Sequence, residues 1–122
     1  MQALYENLPV YKAALDLFKY FDQVVRRFDR YHKYTLGKKL RDLSVEILAA
    51  VSRANTKTNR VECLQNAIDL LGELRIMVHA CNEVKAFNNM QSAGHATRLI
   101  VSISKQCEGW LRKSLNPSNG SA

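Results

Sequence analysis

The sequence predicts an all-α protein, an up-down-up-down four-helix bundle, and three observations carry that prediction. Turn-forming residues are scarce: five Gly and two Pro occur in 122 residues, with Pro9 and Pro117 near the ends. A β-protein of this size needs many turns, and turns draw on Gly, Pro, Asn and Asp. Apolar residues recur every three or four positions through four long stretches, the period of one helix face. The breaks between those stretches are short and polar, which makes successive helices antiparallel neighbours. The length suits one domain, and 47% hydrophobic with 24% charged residues suits a soluble chain with a single core. The bundle is expected over residues 1–115. A flexible tail, NPSNGSA, is expected over residues 116–122, where turn and linker residues dominate.

The first helix is predicted from Leu8 to about Arg30, with Val10, Ala14, Leu17, Phe18, Phe21, Val25 and Phe28 on its inner face. Asn7, Leu8 and Pro9 supply its start, since proline is welcome in a first turn. Its outer face carries Lys12, Asp16, Lys19, Gln23, Arg26, Arg27 and Arg30, with Asp22 and Arg26 in the favourable acid-first spacing. A link, Tyr31 to Tyr34, leads to Thr35, which reads as the N-cap of the second helix. That helix has the stripe Leu36, Leu40, Leu43, Ile47, Val51 and Ala54, and Asn55 to Thr58 is a polar loop.

Asn59 and Glu62 read as a capping-box-like start for the third helix, about Arg60 to Val84. Its stripe is Leu64, Ile68, Leu71, Val78 and Cys81, but Ala67, Leu70, Leu74, Ile76 and Met77 spread the apolar surface further. One core-facing helix needs only one stripe. The excess predicts a second contact, with another copy of the chain, for which Leu70, Arg75, Met77 and Trp110 are candidate interface residues. Arg75 leans towards the inner side, where it either snorkels outwards or pairs with an acid at a subunit boundary. A break around Phe87, from Lys85 to Asn89, precedes a fourth helix from about Met90 to Leu115. Its core candidates are Ala93, Ala96, Ile100, Ile103, Cys107, Trp110 and Leu111. Gly72, Gly94 and Gly109 fall inside helices, either to allow close approach or as tolerated weak points.

The formal charge is +7, with 18 basic against 11 acidic residues. Such a balance favours an anionic partner. The charge is uneven: Lys19, Arg26, Arg27, Arg30, Lys33, Lys38, Lys39 and Arg41 face only Asp22 and Asp29 in the same segment. Tyr20, Tyr31, His32 and Tyr34 are interleaved with them, and Arg112 and Lys113 form a smaller group near the C-terminus. Arg60, Lys85 and Lys105 lie outside the dense cluster. Clustered cations bind phosphate backbones by releasing counterions, and neighbouring aromatics can stack on unpaired bases. A solvated helix end with rim-packing tyrosines is the plainer reading; the density of cations favours binding of RNA or DNA.

Catalytic patterns are missing. His32, His79 and His95 lack metalloprotease spacing, and neither a nucleophile elbow nor a phosphate-cradling glycine loop occurs. Asp42 and Glu46 share a helix face with Lys38 and Lys39 one turn away, and read as surface charges. No enzymatic activity, cofactor or metal is expected. Cys63, Cys81 and Cys107 form no CxxC pair and lie in helical stretches, as buried free thiols do in a reducing compartment. With no secretory signal pattern and no run long enough to span a membrane, a cytoplasmic location is expected.

Several local patterns then coincide: LPVYK at Leu8 to Lys12, YTLGKKLRDL at Tyr34 to Leu43, and the alanine-rich end of the second helix near Ala54 and Asn55. With them come the L..A..LL.ELR run from Leu64 to Arg75 and EGWL at Glu108 to Leu111. Together they resemble the accessory variability determinant proteins of diversity-generating retroelements, over about Leu8 to Lys113. These belong to a wider four-helix-bundle superfamily with the proteins encoded in intervening sequences of bacterial 23S rRNA genes. The resemblance implies a homopentameric barrel with a positive outer surface. It also implies binding to a reverse transcriptase and its template RNA during mutagenic retrohoming, with no catalysis by the bundle itself. His79 stands where many relatives have a second arginine, and Glu108 stands in what is often a GGW-like end. A scaffold of the intervening-sequence type, with charge serving solubility, is the alternative.

Overall fold

Pro9 opens the first helix, α1 (Pro9–Val25), and its buried residues Val10, Ala14, Leu17, Phe21 and Val25 follow the predicted stripe. The computed structural model describes residues 9–55 and 58–116, and the predicted starting residues Asn7 and Leu8 lie outside them, as does the tail beyond Asn116. A short helix α2 (Arg30–Lys33) is followed by α3 (Leu36–Arg53), α4 (Arg60–Glu83) and α5 (Ser92–Leu115). No strand occurs among the described residues.

The long helices pack in a ring: α1 lies against α3 and α5, while α4 lies between α3 and α5. Their directions follow from reach. Helix α3, 18 residues long, spans about 27 Å at 1.5 Å per residue, and the six residues before α4 stretch at most about 21 Å. Helices α3 and α4 are therefore antiparallel. The cross-helix bond from Tyr20 to Ser92 joins the late part of α1 to the first residue of α5, so that pair is antiparallel too. This is the predicted up-down-up-down bundle.

Leu17, Phe21, Leu40, Leu43, Ile47, Leu64, Leu71, Leu74, Ile100 and Ile103 are among its fully buried side chains. Burial of this kind contributes about 25 cal/mol per Å² of apolar surface, the main force holding the helices together. Phe18, Leu36, Ile68, Ala93, Trp110 and Leu111, expected in the core, are only half-buried.

Helix ends depart most from expectation. The first helix stops at Val25, not near Arg30. The amide N–H groups of Arg27 and Phe28 donate to Val24 and Val25 carbonyls, tightening the last turn, and the Asp29 carboxylate then accepts from the His32 N–H at 3.0 Å. Asp29 thereby caps α2 in the expected link, offering the backbone a local partner that competes with continued helix. Thr35 is not a side-chain cap for α3; its hydroxyl donates backwards to the carbonyls of Tyr31 and His32. Asn59 makes no capping bond at α4 either. Instead Arg60 reaches back, its guanidinium donating to the carbonyls of Ala54 and Asn55 at 2.8 and 3.1 Å.

Helix α4 ends in a Schellman arrangement, with the Ala86 N–H on the Cys81 carbonyl and the Lys85 N–H on the Asn82 carbonyl. Lys85 occupies the left-handed position, φ 60, where glycine is usual. Helix α5 begins two residues later than predicted, at Ser92. The Asn89 side chain accepts from the Gln91 N–H at 2.7 Å, and Met90 is left almost fully exposed.

Candidate nucleic-acid interface

The end of α1, all of α2 and the start of α3 meet at one end of the bundle, and three contacts fasten them there. Gly37 lies under the end of α1: a Cβ on it would stand 2.6 Å from Val25 Cγ1 and 3.3 Å from Phe28 Cδ2. Phe28 packs edge to face on Phe87 from the link between α4 and α5, with 5.4 Å between ring centroids. The Asn88 carboxamide donates to the Arg27 carbonyl. A turn rich in cations is thereby anchored to the rest of the bundle.

On this end Lys19, Arg26, Arg27, Arg30, Lys38, Lys39 and Arg41 are exposed, and Lys33 is half-buried with its ammonium 6.0 Å from the Tyr34 ring centroid. Four of the eight have acidic partners. Asp22 receives Arg26 at 2.9 Å and Arg41 at 3.3 Å, Asp42 receives Lys38 at 2.6 Å, and Glu73 receives Lys39 at 3.1 Å. Glu73 comes from α4, an acid that the one-dimensional charge count leaves out. These pairs are at the surface, where each is worth about 0–1 kcal/mol, so a phosphate can displace the carboxylate at small cost. Among the described residues, Lys19, Arg27, Arg30 and Lys33 have no ion-pair partner.

Lys33, Lys38 and Arg41 line a cleft of about 370 Å³ together with Phe18, Val25, Tyr34 and Val45, and Asp42 is the one acid in its lining. Tyr31 and Tyr34 are 82% and 68% exposed, so neither spends its ring on the core. A lining that mixes cations with apolar and aromatic side chains suits a planar, partly hydrophobic group attached to an anion.

The remaining predicted residues are elsewhere. Arg112 and Lys113 lie in the last turn of α5. That is about 30 Å along α5 from its first residue beside Tyr20, so they are not part of the α2 end. Leu70 and Met77 are half-buried against the chain's own core, and Trp110 packs there too with the Arg60 guanidinium 5.2 Å from its ring centroid. Arg75 flanks the buried Leu71, Leu74 and Val78, and its side chain is exposed. The exposed apolar side chains along α4 and its exit are Ile76, Val84 and Met90. Nothing within 4 Å would meet a Cβ at Gly72, and only arginine side chains would at Gly94 and Gly109, so none of these glycines allows close helix approach within the chain.

A second cleft of about 350 Å³ lies between the end of α1 and the start of α5, lined in part by Arg27, His95 and Arg98 with no acid. Charge density along the sequence misses it, because Arg98 and His95 are far from the cluster in sequence. The signal that could have found it is the absence of any Asp or Glu between Glu83 and Glu108. Among the described residues no group of His, Cys, Asp and Glu is placed to hold a metal ion, and no helix is long and apolar enough to cross a membrane. No protein-family profile matches the chain, and no curated protein matches it.

Proposed function

We propose that this chain is a nucleic-acid-binding accessory subunit, not an enzyme, that associates with a reverse transcriptase and its template RNA in a diversity-generating retroelement. The observation that carries the nucleic-acid part is the cleft lined by Lys33, Lys38 and Arg41 with the exposed ring of Tyr34 among them. Counterion release supplies the affinity, and the aromatic surface adds stacking that tolerates any base. The polymerase partner and the homopentamer rest on the sequence resemblance described above. Self-association draws further support from Ile76, Val84 and Met90, which leave apolar surface on α4 and its exit open to a neighbour.

The test is a fluorescence-anisotropy titration of labelled RNA over a salt series, with light scattering to give the mass of the binding species. The expected result is tight binding at low salt, a steep linear loss of log affinity with log salt, and a mass about five times the 13.9 kDa chain. Binding that is absent at low salt overturns the nucleic-acid reading. A monomer mass overturns the pentamer.

A further inference from the structure

Helix α5 (Ser92–Leu115) carries a single acid, Glu108, along its whole length. Its buried residues are Ala96, Ile100, Ile103 and Cys107. On the opposite face Arg98, Lys105 and Arg112 follow one another at heptad spacing, and all three are exposed. Seven residues are close to two helical turns, so the three cations stand in a line about 21 Å long. None has an ion-pair partner among the described residues. A shallow groove along this face is lined by Thr97, Arg98, Val101, Ser102, Lys105 and Gln106.

Both ends of the line lead somewhere. Arg98 also lines the cleft of about 350 Å³ that holds Arg27 and His95. Within it the His95 ring lies 4.7 Å from the Tyr20 ring, and the Tyr20 hydroxyl is fixed by donating to the Ser92 carbonyl at 3.0 Å. The far end reaches Arg112 and Lys113 in the last turn. The two basic groups that are separate in sequence are thus joined by a row of exposed cations, with Glu108 the one acid beside it, between Lys105 and Arg112.

We propose that the outer face of α5 is a track for an unpaired nucleic-acid strand. Successive phosphates lie along Arg98, Lys105 and Arg112, and one base enters the cleft beside His95 and Tyr20. The inference rests on the nucleic-acid reading above and adds to it the surface and the type of strand. A single file of cations on one helix follows one backbone, and a duplex would keep its bases stacked away from the cleft.

The experiment compares wild type with the triple variant Arg98→Gln/Lys105→Gln/Arg112→Gln and with Arg30→Gln/Lys33→Gln/Lys38→Gln/Arg41→Gln at the α2 end. The probes are a labelled oligouridylate of roughly 20 nucleotides and a blunt RNA duplex of similar charge. Glutamine keeps helix propensity close to that of Arg and Lys, and circular dichroism verifies the fold. For the α5 variant the expected result is an affinity loss of about tenfold or more on oligouridylate, with the log–log salt slope falling by roughly 2. Duplex binding should change much less. Unchanged oligouridylate binding by the α5 variant, with loss in the α2-end variant, overturns the track and leaves nucleic-acid binding in place. Equal losses on strand and duplex overturn the choice of single strand. No binding of either probe by wild type overturns both the track and the reading beneath it.

Discussion

Phe28 and Phe87 meet edge to face, 5.4 Å between centroids, although they lie far apart in the sequence and neither belongs to a helix. The pair ties the turn after α1 to the link before α5 and so closes the basic end of the bundle. Both rings are nearly buried, at 5% and 9% exposure. Replacing either by Ala should destabilise the fold by about 3–5 kcal/mol, measured by denaturant unfolding. A double-mutant cycle should show a coupling of about 0.5–1.5 kcal/mol beyond the area lost. Additive losses would mean that the two rings do not act as a pair.

Glycines should respond oppositely according to place. At Gly37 a methyl group would stand 2.6 Å from Val25 Cγ1, a short, stiff side chain with little room to move. Gly37→Ala should destabilise by about 1–3 kcal/mol despite the better helix propensity of alanine. Gly72→Ala meets open space in mid-helix and should stabilise by up to about 1 kcal/mol. Thermal unfolding of both variants checks the contrast, and a stabilising Gly37→Ala would contradict the close packing of α3 under α1.

Lys85 predicts a gain. Its left-handed backbone, φ 60, is the position that glycine fills in most Schellman ends. Lys85→Gly should raise stability by about 1 kcal/mol, less whatever glycine adds to the freedom of the unfolded chain. A loss in denaturant midpoint would show that the lysine side chain contributes more than its backbone costs.

The buried thiols set an alkaline limit. Burial pushes Cys81 from its ordinary 9.0 up to about 11; at Cys107 burial comes first and the neighbouring Glu108 charge second, again reaching about 11. A thiol with a raised pKa favours the folded state fully below its unfolded value. That stabilisation is lost as pH rises from 9 towards 11. Unfolding measured across this window should fall less steeply for Cys81→Ala/Cys107→Ala than for wild type. Identical slopes would contradict the burial of these thiols. Thiol reagents at neutral pH should modify the half-buried Cys63 first.

What could be read from the sequence follows from the range of each interaction. The four long helices and nearly all their core residues were legible, because burial imposes a period that Leu17, Phe21, Leu43, Ile47, Ile100 and Ile103 obey. Helix ends were less so. Thr35 and Asn59 have the composition of caps, but a cap is a geometry, and the capping at those corners comes from Asp29 and from Arg60 reaching back. The cation cluster was legible as a count, not as a potential: Glu73 arrives from α4 and Arg98 from α5, both far away in sequence. Arg60 and Lys105 look equally remote from the cluster in sequence. In the structure one caps α3 beneath Trp110 and the other stands in the α5 row, so neither can serve as an inert control.

Binding of a polyanion at the α2 end is decided by removing its cations. RNA affinity is measured over a salt series for wild type, for Arg30→Gln/Lys33→Gln/Lys38→Gln/Arg41→Gln, and for Lys12→Gln as a remote, exposed control. Circular dichroism should show all three equally helical, since surface substitutions outside the core, the half-buried Lys33 included, change stability by no more than about 0.5 kcal/mol each. The fourfold variant should lose most of its affinity, with a log–log salt slope lower by roughly 3, while Lys12→Gln behaves as wild type. A folded fourfold variant that binds RNA as tightly as wild type, with the same salt slope, would contradict binding at the α2 end.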